Sequence, residues 1–270
     1  MKTVNAKKKY GQNFLKDKLY VEKIVEAMPK DKHIVEIGPG LGDLTCELVK
    51  YGGVTAYEID IDMLKSLSVR FLKEIESGVL ELKLGDVLGV YKAQEVLYDN
   101  EYNLVANLPY NVATKIILEA LEDKDCKNIL VMVQKEVARK FTAQAKQREF
   151  SSLGVISASY CKTRTMLFDV PASAFEPSPK VESCVIFLEK NIFEKIDEGF
   201  KKFLKVCFSQ TRKKLIKNLK QIADKDSLEN FFLENNLNEN LRPHELDKPL
   251  YHQLYKKVIK NGRFNESGRK

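Results

Sequence analysis

A glycine turn and two acidic side chains are spaced along the first ninety residues in a way that suits a nucleoside ligand. Glu36-Ile-Gly-Pro-Gly-Leu-Gly42 follows a short apolar run and precedes a helical pattern. Gly38 and Gly40 let the backbone take unusual dihedrals and come close to a ligand. A pyrophosphate-binding G-x-G-x-x-G turn would carry a third glycine where this chain has Asp43. A carboxylate at a helix start opposes phosphate, so the turn points to a nucleoside without phosphates, such as S-adenosylmethionine. Glu58 closes the next apolar run, 18 residues after Gly40, a spacing that lets a carboxylate accept from ribose hydroxyls. Asp86, after Gly85 at the end of a third run, can receive the exocyclic amine of adenine, and Val87 beside it is counted with the same subsite. Taken singly, each is equally an ordinary tight turn or strand-end acid. Their succession on three strand ends argues against coincidence.

A fourth strand end carries Asn107-Leu108-Pro109-Tyr110. It resembles the (N/D)-P-P-Y and N-x-P-Y motif of adenine-N6 and related amino methyltransferases. The chemistry accounts for the residue types. The N6 lone pair of adenine is delocalised into the ring, so the amine is a poor nucleophile. The Asn107 side-chain oxygen can accept one N–H. The Leu108 carbonyl can accept the other, because Pro109 fixes the chain and donates nothing. Two acceptors draw the nitrogen towards pyramidal geometry, and Tyr110 can stack on the base. No strong base is needed, because the methylated ammonium product is itself acidic.

The elements that must position these groups follow from periodicity. His33–Ile37, Val54–Ile59, Val79–Leu84, Tyr102–Ala106, Asn128–Val133, Val155–Tyr160 and Ser183–Leu188 read as strands. Helices are expected over 18–28, from Asp43 as cap to about Val49, over 62–75, from about Ala113, and over 136–143. Strand alternating with helix predicts a doubly wound α/β sheet, which binds ligands at the carboxyl ends of its strands. Beyond Lys190 only helical spacing remains, as in Phe200, Phe203, Leu204 and Cys207. A domain boundary is therefore expected at 188–192, with a small helical domain behind it.

Composition narrows the class. The 270 residues are 44% hydrophobic and 31% charged, ordinary for a globular protein with a core of its own. The five cysteines, Cys46, Cys126, Cys161, Cys184 and Cys207, are scattered without C-x-x-C, as free thiols of a reducing cytosol would be. With three histidines and no Cys/His cluster, neither a metal site nor a Ser-His-Asp triad is expected. No apolar run reaches the length of a membrane span, and the basic N-terminus lacks a signal-peptide core, so a cytoplasmic protein is expected. Residues 190–270 carry 19 Lys/Arg against 11 Asp/Glu, while 1–189 carry 26 against 27. A basic module beside a near-neutral one suggests a phosphate-rich partner, with a solvated lysine-rich face as the alternative. Lys7, Lys8, Lys9, Arg212, Lys213, Lys214 and Lys217 are the candidate phosphate contacts.

Taken together, the motifs resemble the KsgA-type family of small-subunit ribosomal RNA adenine dimethyltransferases. The matching stretches are Tyr10–Leu15, Glu36–Gly42, Tyr57–Asp60, Gly85-Asp86, Asn107–Tyr110, Gln134–Ala138, Phe175–Ser183 and Arg242–Leu246, in family order over nearly the whole chain. One departure is Phe150-Ser-Ser-Leu-Gly154, where the family more often has an aromatic-Gly-x-Leu-Ser run. The resemblance implies a Rossmann-like class I methyltransferase sheet of seven strands over 1–189 and a small all-helical RNA-binding domain over 190–270. It implies S-adenosylmethionine as cofactor, contacted by Asn13, Leu15, Gly38, Gly40, Glu58, Asp86, Val87 and Asn107. The implied substrate is a pair of adjacent adenines near the 3′ end of 16S rRNA, in an assembling 30S-type particle, acted on by a monomer. Phe175 would then face Tyr110 across the flipped base, or else be a buried loop anchor. Two alternatives share the pattern: a large-subunit rRNA methyltransferase of the antibiotic-resistance type, and a non-catalytic assembly factor. Leu108 and Arg242-Pro-His-Glu-Leu246 favour the small-subunit type over the first, and the intact site residues argue against the second.

Overall fold

Why the front of the chain forms a sheet is visible in its burial. The computed structural model describes Lys7, residues 11–193 and residues 195–260. β1 (Phe14–Leu15) and helix α1 (Lys18–Ala27) lead into β2 (His33–Ile37), whose last four residues are buried. α2 (Asp43–Leu48), then β3 (Val54–Glu58), buried throughout, α3 (Ile61–Arg70), α4 (Leu72–Glu76) and β4 (Leu80–Leu84) follow. α5 (Val87–Gln94), β5 (Tyr102–Asn107), α6 (Ala113–Glu122) and β6 (Cys126–Gln134) complete five parallel strands. Strands covered on both faces read as continuous apolar runs, as in His33-Ile-Val-Glu-Ile. α7 (Lys135–Thr142) and α8 (Ser152–Tyr160) precede β7 (Cys161–Val170), β8 (Phe175–Glu176) and β9 (Ser183–Lys190). The seven-stranded sheet has the order β4-β3-β2-β5-β6-β9-β7, with β9 antiparallel to both neighbours. The order reverses between β2 and β5, which is where such sheets open a ligand crevice.

The chain divides into two units, 1–138 with 160–194, and 139–159 with 195–270. The boundary therefore lies a few residues beyond the expected 188–192, and a segment expected in the front domain joins the back one. The second unit holds α9 (Glu198–Cys207), α10 (Leu215–Leu219), α11 (Lys225–Glu234) and α12 (Lys248–Lys260). Its core is aromatic: Phe200 stacks on His252 at 4.2 Å, and Phe203 meets Tyr255 at 5.4 Å. Segment 139–159 is built into the same unit. Ser159 Oγ lies 2.9 Å from His252 Nε2, the Lys146 amide donates to the His244 carbonyl at 2.7 Å, and Phe150 meets Phe208 edge-on.

Some expected elements are corrected. Val155–Tyr160 is part of helix α8, and the strand starts at Cys161. A short apolar run does not separate helix from strand by period. The Ser157 hydroxyl is satisfied by the Phe141 and Gly154 carbonyls, and Ser159 by Val155. β7 escaped notice because its edge position leaves Lys162, Thr163, Arg164 and Asp169 in the strand, polar residues typical of a protected edge. The Phe150–Gly154 departure leads into α8, where a Cβ at Gly154 would fall 2.7 Å from the Phe150 ring. The helix expected over 62–75 is two helices that meet at buried Phe71. Asp43 is the first helical residue of α2, not its cap; Gly42 takes the cap position with φ +85°.

Candidate active site

The carboxyl ends of β2 and β5 frame a cleft of about 760 Å³, open mouth included. Asn13, Leu15, Gly38, Gly40, Glu58 and Asn107–Tyr110 all line it. A second lobe of about 590 Å³ is lined by Asp86 and Val87 and shares Gly38, Ile59 and Pro109 with the first. The residues expected to hold the cofactor are thus brought together from four strand ends and one N-terminal segment. That segment is seated by packing and pairing. β1 pairs antiparallel with β8, Leu15 opposite Phe175, and a Cβ at Gly40 would lie 2.9 Å from the Phe14 ring, with φ +59° besides. Glycine is needed there on both counts.

Glu58 is 3% exposed, with one carboxylate oxygen accepting from the Asp60 amide at 2.8 Å and the other from the Gly40 amide at 3.3 Å. Burial pushes its pKa up, and the two amides offset part of that rise. Asp86 is exposed and caps α5, one carboxylate oxygen accepting from the Leu88 amide at 3.0 Å. Glu36 opens the glycine motif, and its type and spacing alone give it no role. It lines the cleft, is 1% exposed, and accepts from the Thr45 hydroxyl at 2.7 Å. Burial, opposed by the Thr45 bond and reinforced by nearby Glu58, pushes its pKa up to about 8. Its position in an otherwise apolar strand was the available signal.

That carboxyl makes stability depend on pH. In the unfolded chain Glu36 ionises in the ordinary carboxylate range, so folding takes up a proton between that range and about pH 8. Stability contributed this way is present at low pH and lost as pH rises through about 8. Glu36→Gln, which keeps an acceptor for Thr45, is expected to raise the melting temperature at pH 8 and leave it nearly unchanged at pH 5. Thermal unfolding across that range checks it; equal shifts at both pH values would remove the titration from the account.

The side-chain amide of Asn107 is oriented by the chain itself. Its Nδ2 donates to the Asn13 carbonyl at 3.1 Å. A carbonyl can only accept, so this bond fixes which end of the amide is nitrogen. Oδ1 remains available to a donor in the cleft. The Leu108 amide donates to the Met132 carbonyl at 3.2 Å, and the Pro109 carbonyl takes the Val112 and Ala113 amides at the start of α6. The turn is held from both sides.

Two expected placements differ. Phe175 is 4% exposed, belongs to the core cluster with Leu15 and lines neither lobe. Its ring is taken up in packing, as the loop-anchor alternative had it. Lys7 is ion-paired with Asp60 at 2.7 Å and Asp62 at 2.6 Å, so its charge is already answered within the chain. Lys8 and Lys9 lie outside the described residues. Arg212, Lys213, Lys214 and Lys217 are exposed on the turn between α9 and α10 and on α10. Buried Asn218 pins that turn through the Cys207 and Gln210 carbonyls at 2.7 and 3.2 Å. The Leu215 amide donates to Leu241 O, and the Lys146 amide to His244 O, both at 2.7 Å. Exposed Arg242, Lys146 and Arg148 are thereby attached to the same unit. The last two were missed because 139–159 was assigned to the front domain.

A mixed seven-stranded sheet whose parallel strands reverse order between β2 and β5, a glycine turn over a carboxylate-lined cleft and an Asn-x-Pro-Tyr strand end define a Rossmann-like methyltransferase. The family described as Ribosomal RNA adenine dimethylase matches residues 3–260. The chain belongs to that family. Among curated relatives, Ribosomal RNA small subunit methyltransferase A of Aliarcobacter butzleri is 53% identical over 97% of this chain and 99% of its own. The protein of the same name in Sulfurimonas denitrificans is 48% identical over 95% of each. Two solved structures share the fold. A dimethyladenosine transferase from Plasmodium falciparum has a TM-score of 0.74 at 24% identity, covering 93% of this chain and 98% of that one. The 23S rRNA methyltransferase ErmE has a TM-score of 0.69 at 22% identity, covering 92% and 100%. Among the described residues no cluster of three His, Cys, Asp or Glu side chains is arranged to hold a metal, and no helix is long and apolar enough to cross a membrane.

Proposed function

We propose that this S-adenosylmethionine-dependent enzyme dimethylates N6 of two adjacent adenines near the 3′ end of 16S rRNA. Adenine dimethylation of small-subunit rRNA follows from membership of the Ribosomal RNA adenine dimethylase family together with relatives near 50% identity named Ribosomal RNA small subunit methyltransferase A. The site-level observation that carries the reading is Asn107, whose amide is turned by Asn13 so that Oδ1 can accept from an amine.

The residues fit the cofactor: Glu58 is a buried carboxylate bonded to the glycine turn through the Gly40 amide, and exposed Asp86 lines the second lobe. S-adenosylmethionine, when bound, supplies an electrophilic methyl group on a sulfonium. Glu58 accepts from ribose hydroxyls and Asp86 from the adenine amine of the cofactor, with Val87 beside it. Asn107 Oδ1 and the Leu108 carbonyl accept the two N6–H bonds of the target and aim its lone pair. Tyr110 stacks on the base. This is positioning catalysis, which can supply about 7–11 kcal/mol. Phe175 acts at one remove, by anchoring β1 and so the Asn13 carbonyl that orients Asn107. The setting is a monomer acting in the cytoplasm on an assembling 30S-type particle. Transfer of labelled methyl to undermethylated small subunits, mapped to two adenines, tests the reading. Label on large-subunit RNA would favour the resistance-type activity, and binding without label the assembly factor.

The basic turn of the helical unit is assigned the RNA backbone. Phosphate contacts release counterions, so affinity falls steeply with salt. Changing Arg212, Lys213, Lys214 and Lys217 together to Ala is expected to weaken subunit binding and flatten the salt slope by about three to four. Cofactor affinity should not move. Identical slopes for parent and variant would return this cluster to a solvated face.

A further inference from the structure

We infer that Ser183 is a positioning residue for methyl transfer: its buried hydroxyl holds the Tyr110 ring in place for the target adenine to stack on. The inference rests on the stacking role proposed for Tyr110. Tyr110 lines the cleft and is half-buried, and its phenol oxygen lies 2.5 Å from Ser183 Oγ. The two residues are 73 positions apart, so no local turn forces the contact. The phenol oxygen lies on the axis of ring rotation, so a bond there fixes the first side-chain torsion, and the preference of a phenol hydroxyl for the ring plane then favours one orientation about the second. With Pro109 and the start of α6 holding the near end, the ring is fixed at both ends.

The serine is itself in a rigid place. It is fully buried and begins β9. It lies opposite Gln134 of β6 on one side and Val170 of β7 on the other, so its backbone is flanked by strands in both directions. Next to it, Lys135 ties these three strand ends together, with ion pairs to Asp169 at 2.8 Å and Glu182 at 2.9 Å. The Lys135 amide also donates to the Glu182 carbonyl at 3.0 Å. Those carboxylates are more than half exposed, so their ion pairs add little stability, but they close the end of the strands around Ser183. A hydroxyl on a fixed strand is a better reference point for a ring than water would be. A buried phenol merely satisfying its hydrogen bond would be expected in the core; here the ring borders the cleft where the base must enter.

The test uses the full chain, saturating cofactor and undermethylated small subunits. Ser183→Ala is expected to lower kcat about tenfold, within the range that a misplacement of about 1 Å costs, with subunit KM and cofactor Kd within about twofold. Ser183→Thr keeps the hydroxyl and should restore kcat. Tyr110→Phe cuts the same bond from the other side while keeping the ring, so it should match Ser183→Ala, and the double variant should be no slower than either single one. In subunits carrying 2-aminopurine at one target adenine, the quenching expected on binding should be lost with Tyr110→Ala and reduced with Ser183→Ala. Losses that multiply in the double variant, no rescue by Thr, or unchanged kcat in Ser183→Ala while Tyr110→Ala is inactive would each overturn the positioning role. Full transfer and quenching in Tyr110→Ala would instead overturn the stacking role on which it rests. If Ser183→Ala fails to fold, the comparison of Tyr110→Phe with Ser183→Thr decides: equal loss in both rejects the inference, and loss confined to Tyr110→Phe upholds it.

Discussion

Asn107→Ala is expected to slow methyl transfer at least 10²-fold, the scale seen when one preorganised hydrogen-bonding group is removed from a transition state. Cofactor affinity should fall only a few-fold. The acceptor for one N6–H disappears, and with it half of the pull that takes the lone pair out of conjugation. The small loss in affinity comes from the other end of the amide, since its bond to the Asn13 carbonyl helps seat a segment that lines the cleft. Asn107→Asp separates the two contributions. It retains an acceptor for the amine but turns a carboxylate towards the Asn13 carbonyl, where nothing donates. It should therefore bind cofactor more weakly than the alanine variant does. Single-turnover transfer and calorimetric titration with cofactor read the two effects independently. Normal turnover in Asn107→Ala would remove the amine-acceptor role.

Much of this site was legible because its residues close strands buried on both faces. The apolar runs of β2, β3 and β5 fix their own ends, so Gly38, Glu58 and Asn107 could be set at one edge of a sheet from periodicity alone. What was not legible depends on pairing across long stretches of chain. β1 and β8 are two residues each, too short to leave a period. Without their register, Phe175 reads as a free aromatic although Leu15 lies opposite it. Lys7 reads as a free cation because its partners, Asp60 and Asp62, lie more than fifty residues away. Helix α8 fails for a different reason: Ser157 and Ser159 turn their hydroxyls back onto helical carbonyls, and a short apolar run with small polar residues suits either conformation. Segment 139–159 then carries Lys146 and Arg148 into the basic unit, a connection that contacts with His244, His252 and Phe208 reveal.

Glu58→Ala is expected to weaken cofactor binding about 10²–10³-fold, as the loss of hydrogen bonds to a charged group at about 1.5–3 kcal/mol each implies. The fold should survive. Glu58 is buried and its pKa is raised by burial, so removing it also removes a desolvation cost, which offsets the loss of its bonds to the Gly40 and Asp60 amides. Melting temperature should therefore move little while affinity collapses, a combination that separates ligand contact from scaffold. Glu58→Gln should fall between, because an amide keeps one acceptor oxygen. The raised pKa adds a second signature. Ribose hydroxyls donate best to the ionised carboxylate, so cofactor affinity should drop as pH falls, beginning above the ordinary carboxylate range. Glu36 titrates in the same cleft, at about 8, and must be separated from this effect. In a Glu36→Gln background, the Glu58 part of the decline persists; adding Glu58→Gln abolishes it. Calorimetry from pH 5 to 8 on the two variants measures the difference. Equal pH profiles would mean that the carboxylate at the end of β3 does not hold the ribose.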